Sequence, residues 1–288
     1  MESSMPAENV VKKEQILEIG SGMSAIKTPM TSDRTATGSP LVGSGAKTTA
    51  VSRVRNDLYQ GLILLAEGYI ESAPAAERFR ILRAKIERLN MGPAQKIKVI
   101  SVTSALPSEG KSVCAVNLAR ALSVDPLGKT LLIDCDLRKP SVNKFFRVPR
   151  ENGLSDALYK KKLSNQFIKS VAPGLDVMTA GTQVVDPAEA IEQPEFEQFL
   201  NELKNYYRYI IVDCPPTLLC PEPIKISSVT DTTILVARAW RTDKSLVREA
   251  AEAIGQHRLL GVVLNDGMDN SKQYSKYGYY YGGYTANG

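Results

Sequence analysis

The sequence predicts an α/β fold: a doubly wound, mostly parallel sheet flanked by helices, with a low-complexity arm before it and a Tyr-rich tail after it. Three observations carry this. Short runs rich in Val, Ile and Leu recur at 98–102, 129–134, 209–213, 232–238 and 261–265. Their centres are near-continuous apolar stretches instead of alternating ones, which is how strands covered on both faces read. Segments of helical period separate them, and strand–helix alternation gives a parallel sheet. Finally, two runs end in Asp and one leads into a loop closed by Gly-Lys-Ser. Open α/β sheets bind ligands at the C-terminal ends of their strands, where these residues fall.

Composition narrows the function. The 288 residues suffice for one large α/β domain plus tails. A net charge of +5, from 36 basic and 31 acidic residues, is mild and argues for no nucleic-acid partner. The single His257 excludes a His-rich metal site. Cys114, Cys135, Cys214 and Cys220 form no CxxC pair and read as reduced, mostly buried thiols of a reducing compartment. The N-terminus lacks the apolar core of a signal peptide. No run approaches the ~18 apolar residues of a membrane span. The expectation is a cytoplasmic protein that reaches a membrane only through a partner.

In chain order, residues 1–57 read as a disordered arm rich in Ser, Thr, Gly, Ala and Pro, with a short helix expected across 10–19. The run Gly43-Ser44-Gly45-Ala46-Lys47-Thr48-Thr49 imitates a phosphate loop. It has Ala before its Lys and no strand leading in. Residues 58–93 read as helical, first around 55–69. A second helix follows, with Ser72 as cap and Pro74 in its first turn. Phe79, Leu82, Ile86 and Leu89 fall on one face of it. Glu77, Arg80 and Arg83 share another, which by itself reads as a solvated face with weak ion pairs.

Residues 94–268 form the principal domain. The apolar run 98–102 enters the loop Ser104-Ala105-Leu106-Pro107-Ser108-Glu109-Gly110-Lys111-Ser112, and a helix leaves it across 113–122. Strand, tight loop, Gly-Lys-Ser and helix make a P-loop, so the domain is P-loop NTPase-like. Backbone N–H groups of the loop from Pro107 to Val113, Pro107 itself having none, converge on one spot that the helix dipole makes favourable for phosphate. Lys111 reaches the β- and γ-phosphates, and the Ser112 hydroxyl ligates Mg²⁺. Ala105 stands where the motif's first Gly is expected. The next strand delivers Asp134 and Asp136, which alternation puts on one side. Two carboxylates at a strand end point to a metal or to a proton to be abstracted. Residues 139–170 read as basic and loop-rich. A strand follows at 175–178 and helices at 187–192 and 195–205. The strand ending in Asp213 is a Walker B arrangement, with Asp213 in the metal shell. Strand 232–238, helix 244–256 and strand 261–265 complete the domain. The tail, 269–288, holds Tyr274, Tyr277, Tyr279, Tyr280, Tyr281 and Tyr284, half of the twelve Tyr in the chain.

Taken together, the chain over about 74–284 resembles the bacterial tyrosine kinases (BY-kinases), autokinases of capsule and exopolysaccharide synthesis. Residues 107–112 look like that family's Walker A, and Asp134-Cys135-Asp136-Leu137-Arg138 like its Walker A′. Ile211-Val212-Asp213-Cys214-Pro215-Pro216 looks like its Walker B. Glu77, Arg80 and Arg83 match its oligomerisation motif, and the tail matches its autophosphorylation cluster. The resemblance implies ATP and Mg²⁺ as cofactors and a ring-forming homo-oligomer phosphorylating its tails in trans. It implies a separate membrane-anchored polysaccharide co-polymerase as activator, other protein substrates, and a location at the inner face of the plasma membrane. Lys111, Asp134, Asp136 and Asp213 are then the catalytic set, with Ser112, Asp136 and Asp213 about the metal. Asp134 orients or deprotonates the acceptor hydroxyl, Arg138 steadies phosphates, and Asn265 contacts the adenine. The family usually has Gly where Ser108 stands, and often Asp at the positions of Arg208 and Glu222.

Two other classes share these features. A switch ATPase of the partition or septum-positioning kind has a signature Lys where Leu106 stands here, and no use for a Tyr-rich tail. A non-catalytic assembly protein would bind nucleotide as a signal, with Ala105 and Ser108 in its favour and the intact Lys111, Asp134, Asp136 and Asp213 against it. No Asn-Lys-x-Asp motif for guanine is present.

Overall fold

The structure, a computed structural model, describes residues 16–20, 74–92 and 96–267, with 16–20 as backbone only. Among them the strands are β1 (Ile16–Gly20), β2 (Val99–Ser104), β3 (Thr130–Asp134), β4 (Lys169–Ala172), β5 (Leu175–Met178), β6 (Tyr209–Asp213), β7 (Thr232–Arg238) and β8 (Leu259–Gly267). They form one sheet in the order β1-β8-β7-β2-β6-β3-β5-β4. Only β4–β5 is antiparallel; every other pair is parallel. The helices are α1 (Pro74–Leu89), α2 (Lys111–Leu122), α3 (Val142–Phe146), α4 (Leu154–Tyr159), α5 (Pro187–Glu192), α6 (Pro194–Leu203), α7 (Glu222–Val229) and α8 (Lys244–Ile254).

The apolar runs explain the layers. Every residue of β2, β3, β5 and β6 is buried, as strands with both faces covered must be. Successive side chains go to opposite cores. Ile100, Val102, Leu132 and Ile211 pack with Leu118 and Leu122 of α2 and with Phe79, Leu82 and Ile86 of α1. Val99, Leu131, Ile133, Ile210 and Val212 pack on the other face with Leu154, Ile191, Phe196 and Leu200. Each such fully buried side chain contributes roughly 1.5–3 kcal/mol. The sheet is therefore doubly wound, and β2, β6 and β3, whose ends carry the expected site, are neighbours at its centre.

Several elements differ from expectation. The segment read as a helix across 10–19 supplies β1, which pairs in parallel with β8. A helix of that length is marginal alone, whereas the edge of β8 offers a row of unpaired backbone groups to Ile16-Leu17-Glu18-Ile19. The stretch read as loop-rich, 139–170, contains α3, α4 and part of the β4–β5 hairpin. The helix α7, bracketed by Pro221 and Pro223, has no period long enough to announce it. Leu89 is 45% exposed, so the buried face of α1 consists of Phe79, Leu82 and Ile86. The helix at 55–69, the imitation loop at 43–49 and the tyrosines of the tail lie outside the described residues.

Candidate active site

The phosphate loop leaves β2 at Ser104 and enters α2 at Lys111. Gly110 has φ 92, and no side chain caps the helix. The first amides of α2 are thus open to an anion. A Cβ on Gly110 would lie 1.9 Å from Asn265 Nδ2, so any other residue there must displace the Asn265 side chain. Ser108 has φ 63, a left-handed backbone that costs an L-residue roughly 1–2 kcal/mol. That is a physical reason for Gly to be the more usual residue at this position. Ala105 has no positive φ and is buried against Leu235, Ala250 and Ile254, so its Cβ fits without distorting the loop.

The loop is braced from one side. The Glu109 carboxylate accepts the Leu106 N–H at 2.8 Å and the Thr242 hydroxyl. The Glu109 carbonyl accepts the Asn265 amide at 2.9 Å. Glu109 therefore contributes its carboxylate to the shape of the loop, and the Asn265 amide donates to the loop backbone. Pro107, Ser108 and Val113 are exposed at the mouth.

The carboxylates lie on the other side. Asp134 and Asp213 face each other in register across β3 and β6. The strand β3 stops at Asp134, so Asp136 is placed by a turn instead of by strand alternation: its N–H donates to Asp134 Oδ1 at 3.2 Å. Asp134 also accepts from the N–H groups of Ser141 and Val142, both at 3.0 Å. Three bonds leave one acceptor position of the roughly four on a carboxylate. The side chain is fully buried, so an incoming hydroxyl reaches it only if the chain over 136–141 opens.

Lys111 Nζ stands 2.7 Å from Asp136 Oδ2, 3.9 Å from Asp213 Oδ1 and 3.3 Å from Ser112 Oγ. Burial works against its charge, but Asp213 and Asp136 outweigh burial and raise its pKa. Burial pushes Asp134 up to about 7, helped by Asp213 and Asp136 and opposed by its backbone bonds. Burial likewise pushes Asp213 up to about 6, with Lys111 and the nearby Ser112 hydroxyl pulling it back. Neither Asp213 oxygen makes a hydrogen bond of normal geometry. Three buried carboxylates thus face one ammonium, and a fully buried pair of oxygens is left open. An all-oxygen donor set of Ser112, Asp136 and Asp213 with excess negative charge fits a hard divalent cation such as Mg²⁺.

The remaining expected residues fall nearby or elsewhere. Arg138 Nε donates to Glu222 Oε1 at 2.8 Å, and Glu222 is buried at the start of α7. Glu222 thus orients the Arg138 guanidinium. On α1, Arg80 pairs with Glu77 at 2.9 Å, while Arg83 pairs with Glu87 at 3.4 Å and donates to the Ala121 carbonyl at 3.3 Å. Arg80 and Arg83 line a cavity of about 210 Å³ beside α2, away from the phosphate loop. Cys114, Cys135 and Cys214 are free and buried; burial pushes Cys114 up to about 12. Thr242 was not anticipated, and Glu222 was noted only as a departure from the resembled pattern; each acts through a contact that is remote in sequence.

A P-loop opening a buried helix, with paired carboxylates on the adjoining strand ends, defines a nucleotide-dependent phosphoryl-transfer protein. Comparison with known proteins narrows the class. A family model described as "AAA domain" matches residues 97–238. The tyrosine-protein kinase YwqD of Bacillus subtilis (strain 168) is 35% identical over 208 residues, 71% of this chain and 86% of that protein. Among solved structures, the chimerical protein CapA2B2 matches with TM-score 0.67 and 30% identity, over 73% of this chain and 91% of that one. The kinase domain of the Escherichia coli tyrosine kinase ETK matches with TM-score 0.67 and 27% identity, over 78% and 86%. The chain belongs to the bacterial tyrosine-protein kinases, the BY-kinase family.

Proposed function

We propose that this protein transfers the γ-phosphoryl group of ATP to tyrosines of its own tail, Tyr274, Tyr277, Tyr279, Tyr280, Tyr281 and Tyr284. Transfer runs in trans within a ring of like subunits joined through Glu77, Arg80 and Arg83. It regulates polymerisation and export of capsule or exopolysaccharide, and a separate membrane-anchored co-polymerase activates it from the inner face of the plasma membrane. Other proteins serve as further substrates. The observation that carries the reading is Lys111 held between Asp136 and Asp213 at the mouth of an uncapped helix, with both Asp213 oxygens open.

The residues divide the work. The amides of 107–113 and the Lys111 ammonium hold the triphosphate and neutralise charge that develops on transfer. Ser112, Asp136 and Asp213 would hold Mg²⁺, which would supply positive charge against that of the phosphates. Arg138, oriented by Glu222, steadies the phosphates or the acceptor segment. A Tyr hydroxyl has a pKa near ~10, so transfer at neutral pH needs a base. Asp134, its pKa raised to about 7, suits that task once the chain over 136–141 admits the acceptor. Each transfer adds about −1.5 to −2 charge to a short tail, and mutual repulsion then loosens its docking.

The test is mass spectrometry of the full chain after incubation with Mg·ATP, beside Lys111→Met. Phosphate on the tail tyrosines of the wild type, at least a hundredfold above the variant, is the expected result. Equal labelling of the variant would remove Lys111 and this site from the mechanism. ATP hydrolysis with an unmodified tail, even with the co-polymerase's cytoplasmic segment added, would instead make the protein a switch ATPase.

A further inference from the structure

Trp240 is the chain's single tryptophan. It is 82% exposed in the turn between β7 and α8 and has φ 64. A bulky residue rarely takes a left-handed backbone, and such outliers gather at functional sites. The turn that imposes this geometry is built tightly. The Arg238 carbonyl accepts the N–H groups of Arg241 and Thr242 at 3.2 and 3.0 Å. The Thr242 hydroxyl oxygen accepts the Arg238 N–H at 2.9 Å. The Ala239 N–H donates to the Asn265 carbonyl at 2.8 Å.

The same turn is fastened to the phosphate loop. Thr242 bonds the Glu109 carboxylate, and the Asn265 amide bonds the Glu109 carbonyl. The backbone that carries the indole is thereby fixed relative to the phosphate cradle.

Sheet order then says which end of a nucleotide lies here. The phosphate loop leaves β2, with β6 and β3 on one side and β7 and β8 on the other. The carboxylates that hold the metal and face the transferred group stand on β6 and after β3. The γ-phosphate must point that way. A nucleotide is elongated, so its base lies at the opposite end, over the ends of β7 and β8. Trp240 stands two residues beyond the end of β7, the strand that neighbours β2 on that side.

We infer that Trp240 is a nucleotide-binding residue whose indole stacks on the purine of bound ATP and favours a large, flat base. The inference rests on the ATP-binding reading above. Aromatic stacking on a base is among the stronger contacts a nucleotide makes, and every base has a π-face to offer. The energy of exposing an indole and holding its backbone at φ 64 is then offset in the nucleotide complex.

A single tryptophan makes the test direct. Full-length protein is titrated with ATP, with ADP and with inorganic tripolyphosphate, and Trp emission is followed. ATP and ADP should quench it; tripolyphosphate, which fills the cradle without a base, should not. Trp240→Gly suits the backbone, so folding is preserved. It should raise KM for ATP about tenfold, equivalent to about 1.4 kcal/mol, with kcat within about twofold. Trp240→Phe should recover most of the loss. Calorimetry with ADP separates the two levels of the argument. No ADP binding by the wild type would overturn the ATP-binding reading and this one with it. ADP binding with unchanged emission, or an unchanged KM in Trp240→Gly, would overturn this inference alone.

Discussion

Gly110→Ala is the substitution whose cost the structure sets most directly. Gly110 has φ 92, and a Cβ there would lie 1.9 Å from Asn265 Nδ2 and 3.0 Å from its Cγ. The obstructing atoms are the end of a side chain, so Asn265 moves and gives up its 2.9 Å bond to the Glu109 carbonyl. Placing a Cβ in the left-handed region costs roughly 1–2 kcal/mol. The lost hydrogen bond costs about 1 kcal/mol. Reduced freedom of the unfolded chain returns about 0.4–1 kcal/mol. The net is a destabilisation of about 1–2.6 kcal/mol. Asn265→Ala alone loses the same bond, about 1 kcal/mol. In the double variant the bond is lost once and nothing obstructs the Cβ. Its destabilisation should therefore fall about 1 kcal/mol short of the sum of the singles. Urea denaturation of the four proteins, with the slope unchanged between them, reads this out. Additivity within about 0.3 kcal/mol would refute the reasoning, because Asn265 would then not be the brace of the loop.

Two further outcomes follow from the same site. Ser108→Gly removes a left-handed strain of roughly 1–2 kcal/mol and adds about 0.5–1 kcal/mol of unfolded-state entropy, so it should be neutral to stabilising by about 1 kcal/mol; a lower melting temperature would show that the strain is not there. Asp134 and Asp213 bind protons more tightly in the folded state than in the unfolded chain. The native state therefore holds extra protons between about pH 4 and pH 7, and stability falls as pH rises across that window. In chelator-treated protein, Asp213→Asn should flatten this fall and raise stability at pH 7.5 by on the order of 1 kcal/mol, while abolishing transfer; a variant less stable than wild type at pH 7.5 would contradict the charge balance described here.

The sheet was legible because burial on both faces leaves an unmistakable record. A run such as Tyr209–Asp213 has no polar position before its last residue, and the residue that breaks the pattern is the one with chemistry. The same logic pointed to Asp134 and Asp213, each at the end of an apolar run, and the Gly-Lys-Ser signature pointed to Lys111. It misplaced Asp136, which sits beyond the strand on a turn whose geometry depends on a bond back to Asp134. It missed β1, because whether Ile16–Gly20 becomes helix or strand is decided by the edge of β8, some 240 residues along the chain. It also missed the braces. Thr242 and Glu222 meet Glu109 and Arg138 across 133 and 84 residues, and a single polar side chain in a loop carries no period.

Those braces give the site two unlike halves. On the β7–β8 side, the Leu106 N–H, the Thr242 hydroxyl and the Asn265 amide tie Glu109 down through neutral donors. That half is a rigid cradle, and changes in it should appear mainly in nucleotide affinity. On the β6–β3 side, three carboxylates crowd one ammonium, and the chain over 136–142 hangs from Asp134 by three backbone N–H bonds. Like charges held together in a low dielectric destabilise the site until a cation or a proton relieves them. That half has reason to rearrange when nucleotide and acceptor arrive, and the segment tied to Asp134 by those three bonds is where a rearrangement would expose it. Substitutions there should act on transfer more than on binding. On the proposed mechanism the reaction divides along the β2 strand: the groups proposed to hold ATP lie to one side, and the acceptor of its phosphoryl group enters from the other.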